Sequence, residues 1–146
     1  MKKEDLYARM MHTPDDPERA EARTTLRGIW KQLLPLHRAL IDDASAQFRA
    51  NGGTVTGPTH LLQLLQEEEF FAWLRPMTTL IVDLDSMTRT DFTPDDVAAM
   101  VARLETFFGA APDPDFSTRY VPILQRDFDV TVGHAAIRQA VAKLKT

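Results

Sequence analysis

Residues 26–48 read LRGIWKQLLPLHRALIDDASAQF, and the spacing of their apolar side chains decides the fold. Large apolar residues recur every three or four positions, so they fall on one face of a helix with 3.6 residues per turn. This stripe comprises Leu26, Ile29, Trp30, Leu33, Leu40, Ile41, Ala44 and Phe48, with His37 on the same line. We therefore predict a helix from about Asp15 to Ala50 that buries the stripe.

A second helical segment follows, from about Pro58 to Met87. Its two halves are slightly out of phase, and Glu67-Glu68-Glu69 lies between them. Three consecutive acids favour the first turn of a helix, where they face the positive end of the helix dipole. We therefore expect a break near Gln66, with a short helix before it and a longer one after it.

Two more helical segments complete the chain. The third is predicted from Pro94 to Phe108, and the fourth begins near Pro114 and extends towards Lys145. β-Branched residues and Gly133 weaken the fourth segment. A long helix with a weak spot is preferred to two helices, although both remain open. A short additional helix over Lys3–Met11 is a further expectation.

Helix boundaries are the clearest local signals in the sequence. Thr13-Pro14-Asp15-Asp16 and Thr93-Pro94-Asp95-Asp96 combine a capping threonine, a proline for the first helical position and two first-turn acids. Asp113-Pro114-Asp115 is similar, and Asn51-Gly52-Gly53 can end a helix. The intervening linkers are short, which favours antiparallel neighbours. Residues 1–146 are thus predicted to form one all-α domain, an antiparallel bundle of about four long helices.

Composition narrows the range of functions. The 146 residues contain no cysteine and carry a net charge of -4. Disulfides and thiolate metal sites are therefore excluded, and a mildly acidic balance argues against nucleic acid as a partner. No apolar run approaches the roughly 20 residues that cross a bilayer, and the charged N-terminus is unlike a secretory signal. We expect a cytoplasmic protein that does not bind membranes.

Proline interrupts the apolar helical pattern at Pro35, Pro76 and Pro122. Inside a helix, proline removes a hydrogen bond and clashes with the preceding turn, so each position is expected to kink its helix. Kinks at matched heights could open a cavity in the bundle. The favoured interpretation is that these prolines curve long helices around the core or begin new helical segments.

His37 and Arg75 are the candidate functional residues. His37 could bind a ligand or metal or exchange protons, but the favoured interpretation is a histidine at the core edge, bonded to a carbonyl or carboxylate. Arg75 could clamp a carboxylate or phosphate. The favoured alternative is that it pairs with an acid such as Asp42 or Asp43, or stacks on Trp30 or Trp73.

A resemblance agrees with this choice of residues. The strings Leu33-Leu34-Pro35-Leu36-His37-Arg38-Ala39-Leu40-Ile41-Asp42 and Trp73-Leu74-Arg75-Pro76-Met77 resemble segments of small bacterial helical proteins of unassigned function. The resemblance covers about half of the chain. It implies a bacterial origin and supplies no activity that could be transferred.

Two functional interpretations follow. The chain carries many large apolar residues for a small bundle, including Phe70, Phe71, Phe107 and Phe108. This surplus favours a protein-interaction or regulatory module, with a homodimer or another protein as partner. No catalytic, metal or cofactor motif is present, so an enzyme is the less favoured class. The alternative is a bundle that binds a small molecule or cofactor, either as a binding protein or as an enzyme, in a pocket lined by His37, Arg75, Trp30 and Trp73.

Overall fold

The computed structural model describes residues 15–146 and contains no β-strand in that range. This confirms the prediction of an all-α protein. The described part comprises six α-helices and one 3-10 helix. Their bounds are α1 Pro17–Ala50, α2 Pro58–Glu67, the 3-10 helix Glu69–Leu74, α3 Arg75–Met87, α4 Pro94–Phe108, α5 Pro114–Arg126 and α6 Phe128–Leu144. The additional helix predicted over Lys3–Met11 lies outside the described residues.

Helix α1 occupies almost the predicted range but begins from a different cap. The Asp16 side chain accepts a hydrogen bond from the Arg19 backbone N–H at 2.8 Å, and Pro17 is the first helical residue. The predicted cap, Thr13-Pro14, lies outside the described residues. Asp16-Pro17 has the same chemistry as Thr13-Pro14, three residues later in the chain. The acid accepts a hydrogen bond from an unpaired backbone N–H, and the proline has no N–H that needs a partner.

The C-terminus of α1 is confirmed at Asn51. The backbone of Gly52 has φ 90°, a left-handed conformation that favours glycine. At Gly53 the constraint is space, because a Cβ there would lie 2.5 Å from the Phe48 ring. The two glycines thus end the helix for different physical reasons.

The break predicted near Gln66 is confirmed, at Glu68. That residue is extended (φ -81°, ψ 130°), so α2 ends before it. The chain then forms the 3-10 helix before α3 begins at Arg75. Pro76 therefore stands in the first turn of α3, which confirms the interpretation that a proline begins a new helical segment here and corrects the expectation of a kink. Pro35 and Pro122 do lie within helices, in α1 and α5.

The preferred single C-terminal helix is wrong, because the chain breaks at Asp127. This residue is extended (φ -109°, ψ 109°), and its carboxylate accepts a hydrogen bond from the Val130 backbone N–H at 3.2 Å. Gly133, the expected weak spot, lies inside a continuous α6. A Cβ there would meet Leu36 of α1 at an ordinary 3.5 Å. Two of the four predicted segments are therefore divided, and the α-helices number six.

Helix α1 lies at the centre and packs against α6, α3, α5 and the 3-10 helix. Its predicted stripe is confirmed as the core. Fully buried positions of α1 are Leu26, Ile29, Leu33, Leu36, Leu40 and Ala44, while Trp30, Ile41 and Phe48 are partly buried. Helix α3 crosses α1 in the opposite direction, because Arg27 meets Asp85 and His37 meets Thr78. Among residues 15–146, no helix is long and apolar enough to cross a membrane.

Candidate functional site

His37 links α1 to α3 at the edge of the core. Its Nε2 lies 2.9 Å from Oγ1 of Thr78. In the tautomer that carries its proton on Nε2, His37 donates to this hydroxyl, which donates in turn to the carbonyl of Leu74 at 3.2 Å. Burial lowers the pKa of His37, which keeps the ring neutral near pH 7. This is the expected core-edge histidine, although its partner is a hydroxyl and not a carbonyl or carboxylate.

Arg75 binds backbone and not a side-chain acid. Its Nε donates to the carbonyl of Leu65 at 2.8 Å, and its Nη2 donates to the carbonyl of Glu68 at 2.7 Å. The last carbonyls of a helix lack partners within the helix, and a cation is favoured there. Arg75 therefore closes the C-terminal end of α2 and ties it to α3. Its donors point back to the chain, and the residue does not line the groove described below.

Trp30 packs against the core and against Arg27, one helical turn earlier in α1. The Arg27 guanidinium stands 4.3 Å from its ring centroid and also forms an ion pair with Asp85 at 2.8 Å. The Trp30 Nε1 is buried and has no hydrogen-bond partner in the described part of the chain. His37 thus contacts Thr78 of α3, Trp30 contacts Arg27 of its own helix, and Arg75 binds the end of α2. The four predicted residues do not enclose a single pocket.

Trp73 instead lines an open groove between the 3-10 helix, the start of α3, the end of α4 and α5. We call it the Trp73 groove, and its volume is about 810 Å³. Its floor is aromatic: the Trp73 ring lies 5.8 Å from that of Phe116, which meets Phe107 edge-on at 4.8 Å. The Trp73 Nε1 is buried and, within residues 15–146, has no hydrogen-bond partner. The floor of the groove is therefore aromatic and apolar.

Charged side chains surround this aromatic floor. Glu69, Asp113 and Asp115 line the groove, together with a single cation, Arg119. The Arg119 guanidinium stands 4.7 Å from the Phe70 centroid and 5.4 Å from the Trp73 centroid. It forms no ion pair with any described residue. Asp113 is already engaged as the cap of α5, where it accepts the Phe116 N–H at 3.1 Å. Carboxylates thus outnumber the cation around the groove.

A buried hydrogen bond supports the groove from behind. The Tyr120 ring stacks on Phe116 with centroids 4.8 Å apart, and its hydroxyl oxygen lies 2.8 Å from Nδ1 of His134 in α6. Burial raises the pKa of Tyr120. Burial, and then the charge of Arg138, lower the pKa of His134. Both groups are therefore neutral near pH 7, and they hold α5 against α6 without an ion pair.

Most of the groove was missed from the sequence. Trp73 was predicted to line a pocket with His37, Arg75 and Trp30, and nothing in the sequence placed it beside Phe107 and Phe116. Arg119 follows Phe116 by one helical turn, which is the only local sign that it would stand over the same aromatic floor. The Tyr120–His134 pair joins two helices that had been predicted as one. No periodicity within a single helix reveals such contacts.

Neither a metal site nor a match to a known protein indicates a function for this chain. No three His, Asp or Glu side chains within residues 15–146 come together as a metal site. Comparisons with protein-family models, curated proteins and solved structures find no match.

Proposed function

We propose that the protein is an interaction module that binds a basic segment of a partner protein in the Trp73 groove. The observation that carries this proposal is an aromatic floor of Trp73, Phe107 and Phe116 that is lined by the carboxylates of Glu69, Asp113 and Asp115. An apolar patch rimmed by polar residues is typical of an interaction site.

The size and shape of the groove agree with such an occupant. Its volume of about 810 Å³ lies within the roughly 300–1,000 Å³ of typical binding sites. The aromatic rings would cover an apolar side chain of the segment, and large aromatic residues dominate the energetics of many protein interfaces.

Charge selects a basic segment. Three carboxylates face one guanidinium in the Trp73 groove, so lysine or arginine flanking the apolar anchor would be attracted. Arg119 has the opposite role. Because its face rests on the rings of Phe70 and Trp73, its N–H groups at the edge remain available to a carbonyl or carboxylate of the segment.

The alternative of a small-ligand pocket near His37 and Arg75 receives less support from these contacts. His37 is bonded to Thr78, and two donor nitrogens of Arg75 are bonded to backbone carbonyls. A free cationic molecule would find its complement in the Trp73 groove instead. We treat that occupant as a distinguishable outcome of the experiment below.

Intrinsic fluorescence tests the proposal directly, because Trp30 and Trp73 are the two tryptophans of the chain. In a Trp30→Phe variant, all tryptophan emission reports on the groove. We expect a synthetic peptide of alternating lysine and leucine to shift this emission with saturation, and the same peptide with glutamate for lysine to leave it unchanged. If a free alkyl diamine bound as tightly as the peptide, the partner-segment proposal would be wrong. No shift with the basic peptide would also overturn it.

A matched pair of variants checks the role of charge. Replacing Glu69 by Gln and Asp115 by Asn should weaken peptide binding by about 2- to 10-fold, as expected for two exposed charge contacts, and added salt should weaken it further. Asp95→Asn is the control, because Asp95 follows Pro94 as Asp115 follows Pro114 but lies away from the groove. Equal losses in both variants would show that the effect is not local.

A further inference from the structure

The outward face of α6 is apolar although no described element covers it. Phe128 has 78% of its surface exposed and Val132 has 50%. They are four residues apart, so they lie on the same side of the helix. Ala135, Gln139 and Ala142 continue that side towards the C-terminus, and all three are exposed. We call this surface the Phe128 face.

The opposite side of α6 is also apolar. Val130, Ile137 and Val141 are buried there, in the helix that α1 packs against. A surface helix ordinarily places polar residues opposite its buried stripe, whereas a helix that is apolar on both sides is expected to be covered on both. A ring as exposed as that of Phe128 therefore indicates a contact surface.

Charges at the two ends of the Phe128 face have opposite signs. Asp129 stands in the first turn of α6 and Lys143 in the last. Their separation of 14 positions is close to four full turns, so they lie about 40° apart on the same flank. Both are exposed, and neither forms an ion pair within residues 15–146. When two copies of this face are placed antiparallel, each acidic end therefore meets a basic end.

We infer that the Phe128 face binds the Phe128 face of a second copy of this chain, with the two α6 helices antiparallel. A two-fold axis at Ala136 places Asp129 of each copy beside Lys143 of the other. It also places Phe128 and Val132 of one copy over the C-terminal half of the other, where Gln139 and Ala142 are the exposed residues of this face. A two-fold interface requires this kind of self-complementarity, and antiparallel helix dipoles favour the same orientation.

The size of the surface sets the strength of the contact. Helix α6 has 17 residues and is therefore about 25 Å long. One helix pair of this length buries less than the roughly 1,600 Å² of a standard stable interface. The dimer is thus reversible, and dissociation on dilution is part of the inference. It uses none of the residues of the Trp73 groove, so the two proposals can fail separately.

Sedimentation of the full chain from about 10 µM to about 1 mM tests this interface. We expect a monomer–dimer equilibrium across that range. Phe128→Ser should raise the dissociation constant by about tenfold or more, because it removes the largest apolar side chain of the contact. The matched control is Val82→Ser on α3, because Val82 is also an exposed apolar residue at 62%, and it should leave the equilibrium unchanged. A monomer at every concentration, or equal effects of the two variants, would overturn the inference.

Charge reversal tests the antiparallel register. Asp129→Lys places like charges together in both symmetric contacts and should weaken the dimer about tenfold. Adding Lys143→Asp in the same chain recreates both pairs with exchanged signs and should restore the affinity. Asp95→Lys, in the first turn of α4, controls for the effect of a misplaced cation on a helix dipole, and thermal unfolding checks that each variant folds. A double variant as weak as the single one would refute the register.

Discussion

Replacing Tyr120 by phenylalanine should lower the free energy of unfolding by about 1 kcal/mol near neutral pH. The tyrosine ring is buried, and its hydroxyl oxygen lies 2.8 Å from Nδ1 of His134. In the tautomer that carries its proton on Nε2, Nδ1 accepts the Tyr120 O–H. The substitution removes this hydrogen bond and leaves the ring in place.

The magnitude follows from what is lost and what is kept. Phenylalanine retains the stacking on Phe116 at 4.8 Å and the edge contact with Phe108 at 6.0 Å. One hydrogen bond between neutral groups contributes about 0.5–1.5 kcal/mol. His134 is half-buried, so water can reach the vacated nitrogen and limit the additional penalty. For a domain of this size, about 1 kcal/mol corresponds to a decrease in Tm of roughly 2–4 °C.

The same substitution should change how stability depends on pH. The pKa of His134 in the folded protein lies below its ordinary value of 6.5, and so does that of His37. Between the folded and unfolded pKa values, the unfolded chain binds more protons. Stability is therefore fully present above about pH 6.5 and falls as the pH decreases towards the folded values. Without its Tyr120 donor, neutral His134 is less favoured, so its pKa should rise and the fall should become shallower.

Urea unfolding followed by circular dichroism, at several values from about pH 5 to about pH 8, measures both effects. The pKa of His134 can be followed in parallel by NMR titration. Thr78→Val is the control, because it removes the hydroxyl partner of His37 at a more exposed site and should have a smaller effect. The reasoning would be refuted if Tyr120→Phe were as stable as the parent, or if the slope against pH remained the same.

Four further substitutions test the local structure through their unfolding free energies. Gly28→Ala should stabilise the protein by about 0.5–1 kcal/mol, because the site is helical and open; a loss would contradict that geometry. Gly53→Ala should destabilise by about 1–3 kcal/mol, because the new methyl would clash with Phe48, and a neutral result would refute the contact. Asp127→Ala removes the cap of α6 and should lower stability by about 1 kcal/mol; no change would mean that this cap contributes nothing. Arg75→Gln loses two hydrogen bonds to backbone carbonyls and should lower stability by about 2 kcal/mol, whereas an unaffected midpoint in urea would argue against its role in closing α2.

Local chemistry was sufficient to predict most of the helix boundaries. The spacing of Leu26, Leu33 and Leu40 predicted the buried face of α1, because three- and four-residue steps can align only on a helix. The capping box of Thr93 and Asp96 predicted the start of α4, because both partners lie within one turn. These signals depend only on neighbours in the chain.

The same local reasoning failed where two features competed. Gly133 was judged the weak point of the last segment, yet it is helical beside Leu36. The break falls at Asp127, where a carboxylate can cap the new helix. Glycine has a low helix propensity, but packing against α1 keeps Gly133 helical. The helix break lies at Asp127 because its carboxylate caps α6.

By itself, the sequence determined the helical class, the stripe that α1 buries and most of the places where helices begin and end, because each depends on residues a few positions apart. Only the tertiary structure decided what the polar and aromatic residues do. Arg75 could have met an acid, a ring or a ligand, and it meets the end of α2. Trp73 and Arg119 are 46 positions apart in the chain, and they share a groove because the 3-10 helix packs against α5. Contacts between side chains depend on distances in space, and these distances cannot be read from the pattern along the chain.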